Sequence, residues 1–230
     1  MAKLVYENDK AIIKDIKAIL FDLDGTLIDS LPFWRSINRA FFKKYNMDLP
    51  DGFVSKTNAM RFEETVAYSC SLIPQKIDVT EAIQEWRNIA IEQYAKTIPL
   101  KDGVLDYIKY INSLGINMYV VTSNEPYMYE PSMKRLGIWD YFKDVFSANL
   151  VGVGKASGKI YEYVLQKLGL KNDEVALFED ALYAIQSANN LGILTIAIYD
   201  ENGDSFENAN LPNHIVYTFR NAPLISYSAK

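Results

Sequence analysis

An apolar run, Ala18-Ile19-Leu20-Phe21, ends abruptly in Asp22-Leu23-Asp24-Gly25-Thr26. Two carboxylates one residue apart repel, so they call for a cation or a shared proton. Three more clusters close apolar runs in the same way: Thr122-Ser123-Asn124 after Met118–Val121, Lys155 after Gly152-Val153-Gly154, and Glu179-Asp180 after Val175–Phe178. Together they supply acids for a divalent cation, hydroxyl and amide groups for an oxyanion, and one lysine to offset negative charge. A phosphate ester with Mg2+ suits that inventory, because oxygen-only ligands favour a hard cation over zinc or copper. Asp22 could attack phosphorus directly, since a carboxylate needs no deprotonation to act as a nucleophile. Asp24 could then protonate the leaving oxygen and later take a proton from water.

Strand-like runs at Lys17–Phe21, Asn117–Val121, Val145–Ser147, Val175–Phe178 and Leu194–Ile198 alternate with helical patterns that close on Gly115, Gly169 and Gly192. This alternation predicts an α/β fold, a doubly wound parallel sheet with helices on both faces. Such sheets bind ligands at the carboxyl ends of their strands, where all four clusters fall. The stretch from Leu31 to Pro99 breaks the alternation and carries no convincing strand. Phe33, Ile37, Ala40 and Phe41 predict one apolar helical face, and Ala82, Trp86, Ile89 and Ala90 another, so an inserted helical domain is expected over 31–99 on a core of 1–30 plus 100–230. The tail after Asp200 is polar and is expected to wrap the surface.

Composition narrows the chemistry. A net charge of −5, with Lys and Arg scattered, argues against nucleic acid or an anionic membrane as partner. The one histidine, His214, precedes a β-like run and reads as the residue that opens a strand; any Ser-His-Asp site would have to use it. The one cysteine, Cys70, permits no intramolecular disulfide and reads as core in mid-helix, which with no signal-like apolar start predicts a cytoplasmic protein. No apolar run approaches the roughly 20 residues that span a bilayer. Gly152-Val153-Gly154-Lys155 fails as a P-loop, because Asn149 and Ala156 stand where glycine and Ser or Thr are needed.

Phe21-Asp22-Leu23-Asp24-Gly25-Thr26-Leu27, Thr122, Lys155 and Glu179-Asp180, in that order, resemble the four motifs of the haloacid dehalogenase superfamily of phosphohydrolases. The resemblance implies Asp22 as nucleophile, Asp24 as acid/base, and Thr122 and Lys155 as the groups that hold the transferring phosphoryl. It also implies Mg2+ held by Asp180, with help from Glu179, beside the Asp22 side chain and the Asp24 backbone carbonyl. Leu23, Gly25, Ser123 and Asn124 complete the expected phosphate-binding set. Lys159 rivals Lys155, which is preferred because it directly follows Gly154. The 31–99 insert is then a cap over the substrate, with Arg61 and Trp34 as candidate substrate contacts and, as alternatives, a solvated helix-start arginine and a filler of the cap interface. Mutases of the β-phosphoglucomutase type present a histidine where Trp34 stands, and tryptophan cannot relay a proton. The expected function is therefore Mg2+-dependent hydrolysis of a small phosphorylated metabolite. A sugar-phosphate mutase and a non-catalytic phosphate-binding protein of the same fold are the alternatives. The residues do not decide between monomer and dimer.

Overall fold

A computed structural model of the chain describes residues 1–204, 206 and 212–226. In chain order the elements are β1 (Lys3–Glu7), β2 (Lys10–Lys14), β3 (Ala18–Phe21), α1 (Leu31–Lys44), α2 (Phe53–Thr57), α3 (Phe62–Ser71), α4 (Val79–Lys96), α5 (Val104–Ser113), β4 (Asn117–Thr122), α6 (Pro126–Arg135), β5 (Asp144–Ser147), α7 (Ala148–Val151), α8 (Lys159–Leu168), β6 (Val175–Glu179), α9 (Leu182–Asn190), β7 (Leu194–Ile198), β8 (His214–Val216) and β9 (Leu224–Ser226).

Six strands form a parallel sheet in the order β5-β4-β3-β6-β7-β8. The two-residue period of a strand sends its side chains to both faces. Ile19 and Phe21 join Met118, Val120 and Phe178 in a core covered by α5 and α6, while Ala18 and Leu20 join Val121, Val175 and Leu177 under α8 and α9. Both faces are buried, which is why these strands read as continuous apolar runs. The chain leaves β3 toward β4 on one side and returns through β6 on the other. The switch point where such sheets bind ligands therefore lies at the carboxyl end of β3.

The regular elements within residues 31–98 are all helices, α1 to α4, and Ile37, Phe41, Phe42, Phe53, Cys70 and Trp86 form a separate apolar core among them. Three details differ from the sequence reading. Ala40 is exposed and Phe42 is buried in its place, and Ile89 is 39% exposed, because α4 buries Ala82, Trp86, Ala90 and Tyr94 at strict four-residue spacing. Cys70 is core but sits near the end of α3. The C-terminal half of α4 leaves the insert's core, since Ala90, Tyr94 and Ile98 pack into the main core beside Met128 and Met133 of α6. The insert's two connections to the sheet run side by side, with Asp29 N donating to Pro99 O at 2.9 Å and Lys101 N to Leu27 O at 3.0 Å.

The sequence reading missed an N-terminal hairpin. β1 and β2 pair antiparallel, and β2 pairs parallel with β9 in a second, three-stranded sheet. The tail after Asp200 accordingly does more than wrap the surface: β8 extends the main sheet, and Val216, Phe219 and Ile225 are buried. Residues 205, 207–211 and 227–230 of that tail lie outside the described residues. His214 does open a strand, β8, and its Nδ1 lies 2.9 Å from the Tyr6 hydroxyl.

Candidate active site

All four clusters meet at the carboxyl edge of the sheet. Asp22 N donates to Phe178 O at 2.9 Å, which continues the β3–β6 ladder one residue past the strand and fixes where the Asp22 side chain emerges. Leu23, fully buried, anchors the turn by accepting from Leu27 N and Ile28 N, both at 2.9 Å. The chain reverses at Gly25, whose φ of +71° suits glycine. The absence of a side chain has a second use there, because a Cβ at Gly25 would lie 2.2 Å from Asp180 Oδ2.

Asp22, Glu179 and Asp180 are all buried, and one oxygen from each lies within 4.8 Å of the others. Lys155 is 4% exposed; its ammonium pairs with Asp22 and lies 2.8 Å from Glu179 Oε2. The rival Lys159 is exposed at the start of α8. Glu179 Oε1 accepts from the backbone N–H groups of Asp180 (3.2 Å) and Ala181 (3.1 Å), and Tyr161 donates to Oε2 at 3.3 Å. Glu179 is thus a bracket that shapes the Asp180 turn and holds Lys155. Thr26 Oγ1 donates to Asp180 Oδ1 at 3.3 Å.

The three buried acids lie beside one buried ammonium, which pairs with Asp22 and Glu179. Burial, followed by the Glu179 charge, pushes the Asp22 carboxyl up to about 8 despite Lys155. Burial and the neighbouring carboxylates raise Asp180 in the same sense. Burial opposes the charged form of Lys155, yet Asp22 and Glu179 hold its ammonium well above the usual lysine value. The surplus of buried negative charge and the all-oxygen donor set fit a hard divalent cation.

The Asp24 side chain points away from this acid cluster. Its two oxygens accept from the Tyr94 hydroxyl and the Asn124 amide, which leaves its backbone carbonyl as the group it can offer an ion. Burial raises its carboxyl, and the hydrogen bond from Tyr94 works against that. Tyr94 is fully buried and accepts from Trp34 Nε1 at 3.0 Å. A chain of hydrogen bonds therefore runs from α1 through α4 to Asp24. Tyr94 was not anticipated, because the spacing Ala82, Trp86, Ala90, Tyr94 signals packing and its hydroxyl carries no signal at all. Lys101 was missed for a similar reason; its ammonium donates to Gly25 O at 2.9 Å and pairs with Asp200 at 2.5 Å, so it buttresses the turn from behind.

Thr122, at the end of β4, is fully buried and its Oγ1 accepts from Asn124 N at 3.0 Å. Ser123 beside it is exposed to a cavity of about 660 Å3 that also reaches Asp22, Asp24, Lys155 and Asp180. The insert forms the opposite wall. Trp34 is half-buried there, while Arg61 is exposed at the start of α3 with its guanidinium 2.7 Å from Glu64. The arrangement can hold a cation against Asp22, neutralise an anion with Lys155, and present Asp24 on the cavity side.

Comparison with known proteins bears on the family and the fold. A family model described as haloacid dehalogenase-like hydrolase matches residues 19–198. A "Phosphorylated carbohydrates phosphatase" from Thermotoga maritima is 20% identical over 182 residues, covering 77% of this chain and 82% of the relative. A "Glyceraldehyde 3-phosphate phosphatase" from Methanocaldococcus jannaschii is 26% identical over 201 residues, covering 80% and 85%. The crystal structure of CbbY from Rhodobacter sphaeroides in complex with phosphate superposes with a TM-score of 0.74 at 21% identity, covering 89% of this chain and 95% of that one. Among the described residues, no helix is long and apolar enough to cross a membrane.

Proposed function

The chain belongs to the haloacid dehalogenase-like hydrolases, and from that premise we propose that it is a Mg2+-dependent, cytoplasmic phosphatase of small phosphorylated metabolites. The observation that carries this reading is the pairing of Asp22 with Lys155 beside Asp180, with Asp24 hydrogen-bonded on the cavity side of the same turn. An Asp22 oxygen attacks phosphorus, and the bond from phosphorus to the ester oxygen breaks. The departing oxygen takes its proton from Asp24. Water then attacks the phosphoryl group on Asp22, its proton returns to Asp24, and inorganic phosphate and the free carboxylate are restored.

Asp22 must be ionised to attack, and in its buried site that requires positive charge. Lys155 supplies part of it. Asp22, Asp180 and the Asp24 carbonyl would hold Mg2+, with Glu179 in support, and the bound ion supplies the remaining charge against the attacking and transferring oxygens. Ser123 and Asn124 line the cavity and are the groups for the phosphoryl oxygens, whereas Thr122, Leu23 and Gly25 are buried off its lining and would shape that edge from within.

Hydrolysis is favoured over mutase chemistry by Trp34, which has one N–H to donate and directs it to Tyr94. The names of the two phosphatase relatives support phosphate monoesters as the substrate class. The test is release of phosphate from p-nitrophenyl phosphate with Mg2+ and with EDTA, in the wild type and in Asp22→Asn. We expect activity that needs Mg2+ and a loss of at least about a thousandfold in the variant, in line with removal of a nucleophile. Full activity of Asp22→Asn would overturn the mechanism. Absence of turnover across a panel of phosphate esters would favour a phosphate-binding protein.

A further inference from the structure

Helix α9 starts two residues after Asp180, and its start is incomplete. The first turn carries no acid, and Ala181 before it has no side chain that could cap the first N–H groups. The acceptor comes instead from further down the chain, where Asp204 Oδ2 takes the Leu182 N–H at 2.8 Å. The other oxygen of the same carboxylate faces the insert. Asn58, the residue just past the end of α2, donates from Nδ2 to Asp204 Oδ1, also at 2.8 Å. Asn58, Asp204 and Asp180 all line the active-site cavity.

The turn that carries Asp204 is braced at its other end. Asp200 accepts from Asn202 N at 2.7 Å through its side chain and from Gly203 N at 3.0 Å through its carbonyl. Lys101 joins the Asp200 carboxylate to Gly25 O. Residues 200–204 therefore reach the Asp-x-Asp turn, the start of α9 and the insert together. The α4 side of the insert is held by Ala90, Tyr94 and Ile98 in the main core, and Asn58 ties down the α2–α3 side.

We propose that Asp204 is a positioning residue, whose carboxylate ties the α2–α3 side of the insert to the start of α9, so that one group sets both the cavity wall and the Asp180 turn. Asp204 stands outside the acid cluster of Asp22, Glu179 and Asp180 and acts through Leu182 N. This inference rests on the phosphatase reading above, with Asp180 as a holder of Mg2+.

The test takes Asn58→Asp, Asp204→Asn and the double variant through a Mg2+ titration with p-nitrophenyl phosphate, and measures Tm with and without Mg2+. Asn58→Asp sets two carboxylates face to face with no proton between them, which drives Asp204 off its partners. The Mg2+ concentration for half-maximal activity should rise by about tenfold. The added negative charge by itself would draw the cation in, so a rise reports the displaced carboxylate and not the charge. In the double variant the amide at 204 accepts from Leu182 N and donates to the carboxylate at 58, and the Mg2+ requirement should return to within about twofold of wild type. Asp204→Asn alone should stay within about threefold, because the Asn58 amide can turn over to accept. An unmoved or lowered Mg2+ requirement in Asn58→Asp, or a double variant as impaired as Asn58→Asp, would overturn the tie. If Asn58→Asp does not fold, Asn58→Leu takes its place. It removes the donor without adding charge, and a rise of about threefold upholds the tie while an unmoved requirement refutes it. If the wild type releases no phosphate, the phosphatase reading fails and the tie is judged by the rise in Tm that Mg2+ brings. A smaller rise in Asn58→Asp that the double variant regains upholds it; equal rises, or none in the wild type, refute it.

Discussion

Gly25→Ala isolates the contact between the Asp-x-Asp turn and Asp180, the acid proposed to hold Mg2+. At φ +71° an alanine costs about 1–2 kcal/mol on conformational grounds alone. Its methyl would lie 2.2 Å from Asp180 Oδ2 and 2.6 Å from Cγ. Non-bonded carbon contacts settle near about 3.5 Å, so the Asp180 carboxyl must retreat by roughly 1 Å. Ligand distances in ion sites tolerate about 0.2 Å, so the retreat should take Asp180 out of the site. Weakening of one supporting contact commonly costs about 10–100-fold in metal affinity, and that is the expected rise in the Mg2+ concentration for half-maximal activity. Tm should fall by roughly 2–8 °C for a chain of this size. Gly52→Ala is the control. Gly52 has nearly the same φ, +72°, but nothing lies within 4 Å of its would-be Cβ. It should lose stability comparably and leave the Mg2+ dependence where it was. Equal Mg2+ dependence in Gly25→Ala and wild type would refute the steric coupling.

Two further outcomes follow from the buried carboxyls and from their partners. Asp22 is pushed up to about 8 in the folded state while an unfolded carboxyl titrates near about 4, so the ion-free folded protein holds the extra proton between those values and loses stability as pH rises through that window. Tm in EDTA should therefore fall from about pH 5 to pH 8, Mg2+ should flatten the fall, and a Tm that climbs over that range would reverse the sign of the argument. Tyr94→Phe removes the hydroxyl between Trp34 and Asp24, and the unpaired Asp24 oxygen should lower kcat by about tenfold with little change in KM; an unchanged kcat would make Tyr94 a packing residue only.

The candidate site was legible in the sequence because three of its four clusters close parallel strands, two of which, β3 and β6, are fully buried, and a fully buried parallel strand is a bare apolar run with a conspicuous polar end. Lys155 could be preferred to Lys159 from the glycine before it, and the structure puts Lys155 against Asp22 and leaves Lys159 in solvent. Tyr94 could not be read in this way. It lies 70 residues from Asp24, and only the return of α4 from the insert to the main core brings its hydroxyl to the turn. The β1–β2 hairpin was hidden for a related reason. Its strands are mostly half-exposed and mix charges with apolar residues, and they are completed by β9 at the far end of the chain.

The two strands of chain that connect the insert to the sheet are zipped together, with Asp29 and Pro99 joined by one backbone hydrogen bond. The insert thus enters and leaves through a single narrow neck. From the sheet's side the insert is a cassette, and another set of helices spliced in at the same neck would also have to replace Ala90, Tyr94 and Ile98 in the main core. Such an exchange would not be neutral for the chemistry, because the outgoing cassette takes Tyr94 with it. On the proposed mechanism, inheritance of a new insert would bring a new wall to the cavity and, in the same event, a new setting for the proton on Asp24.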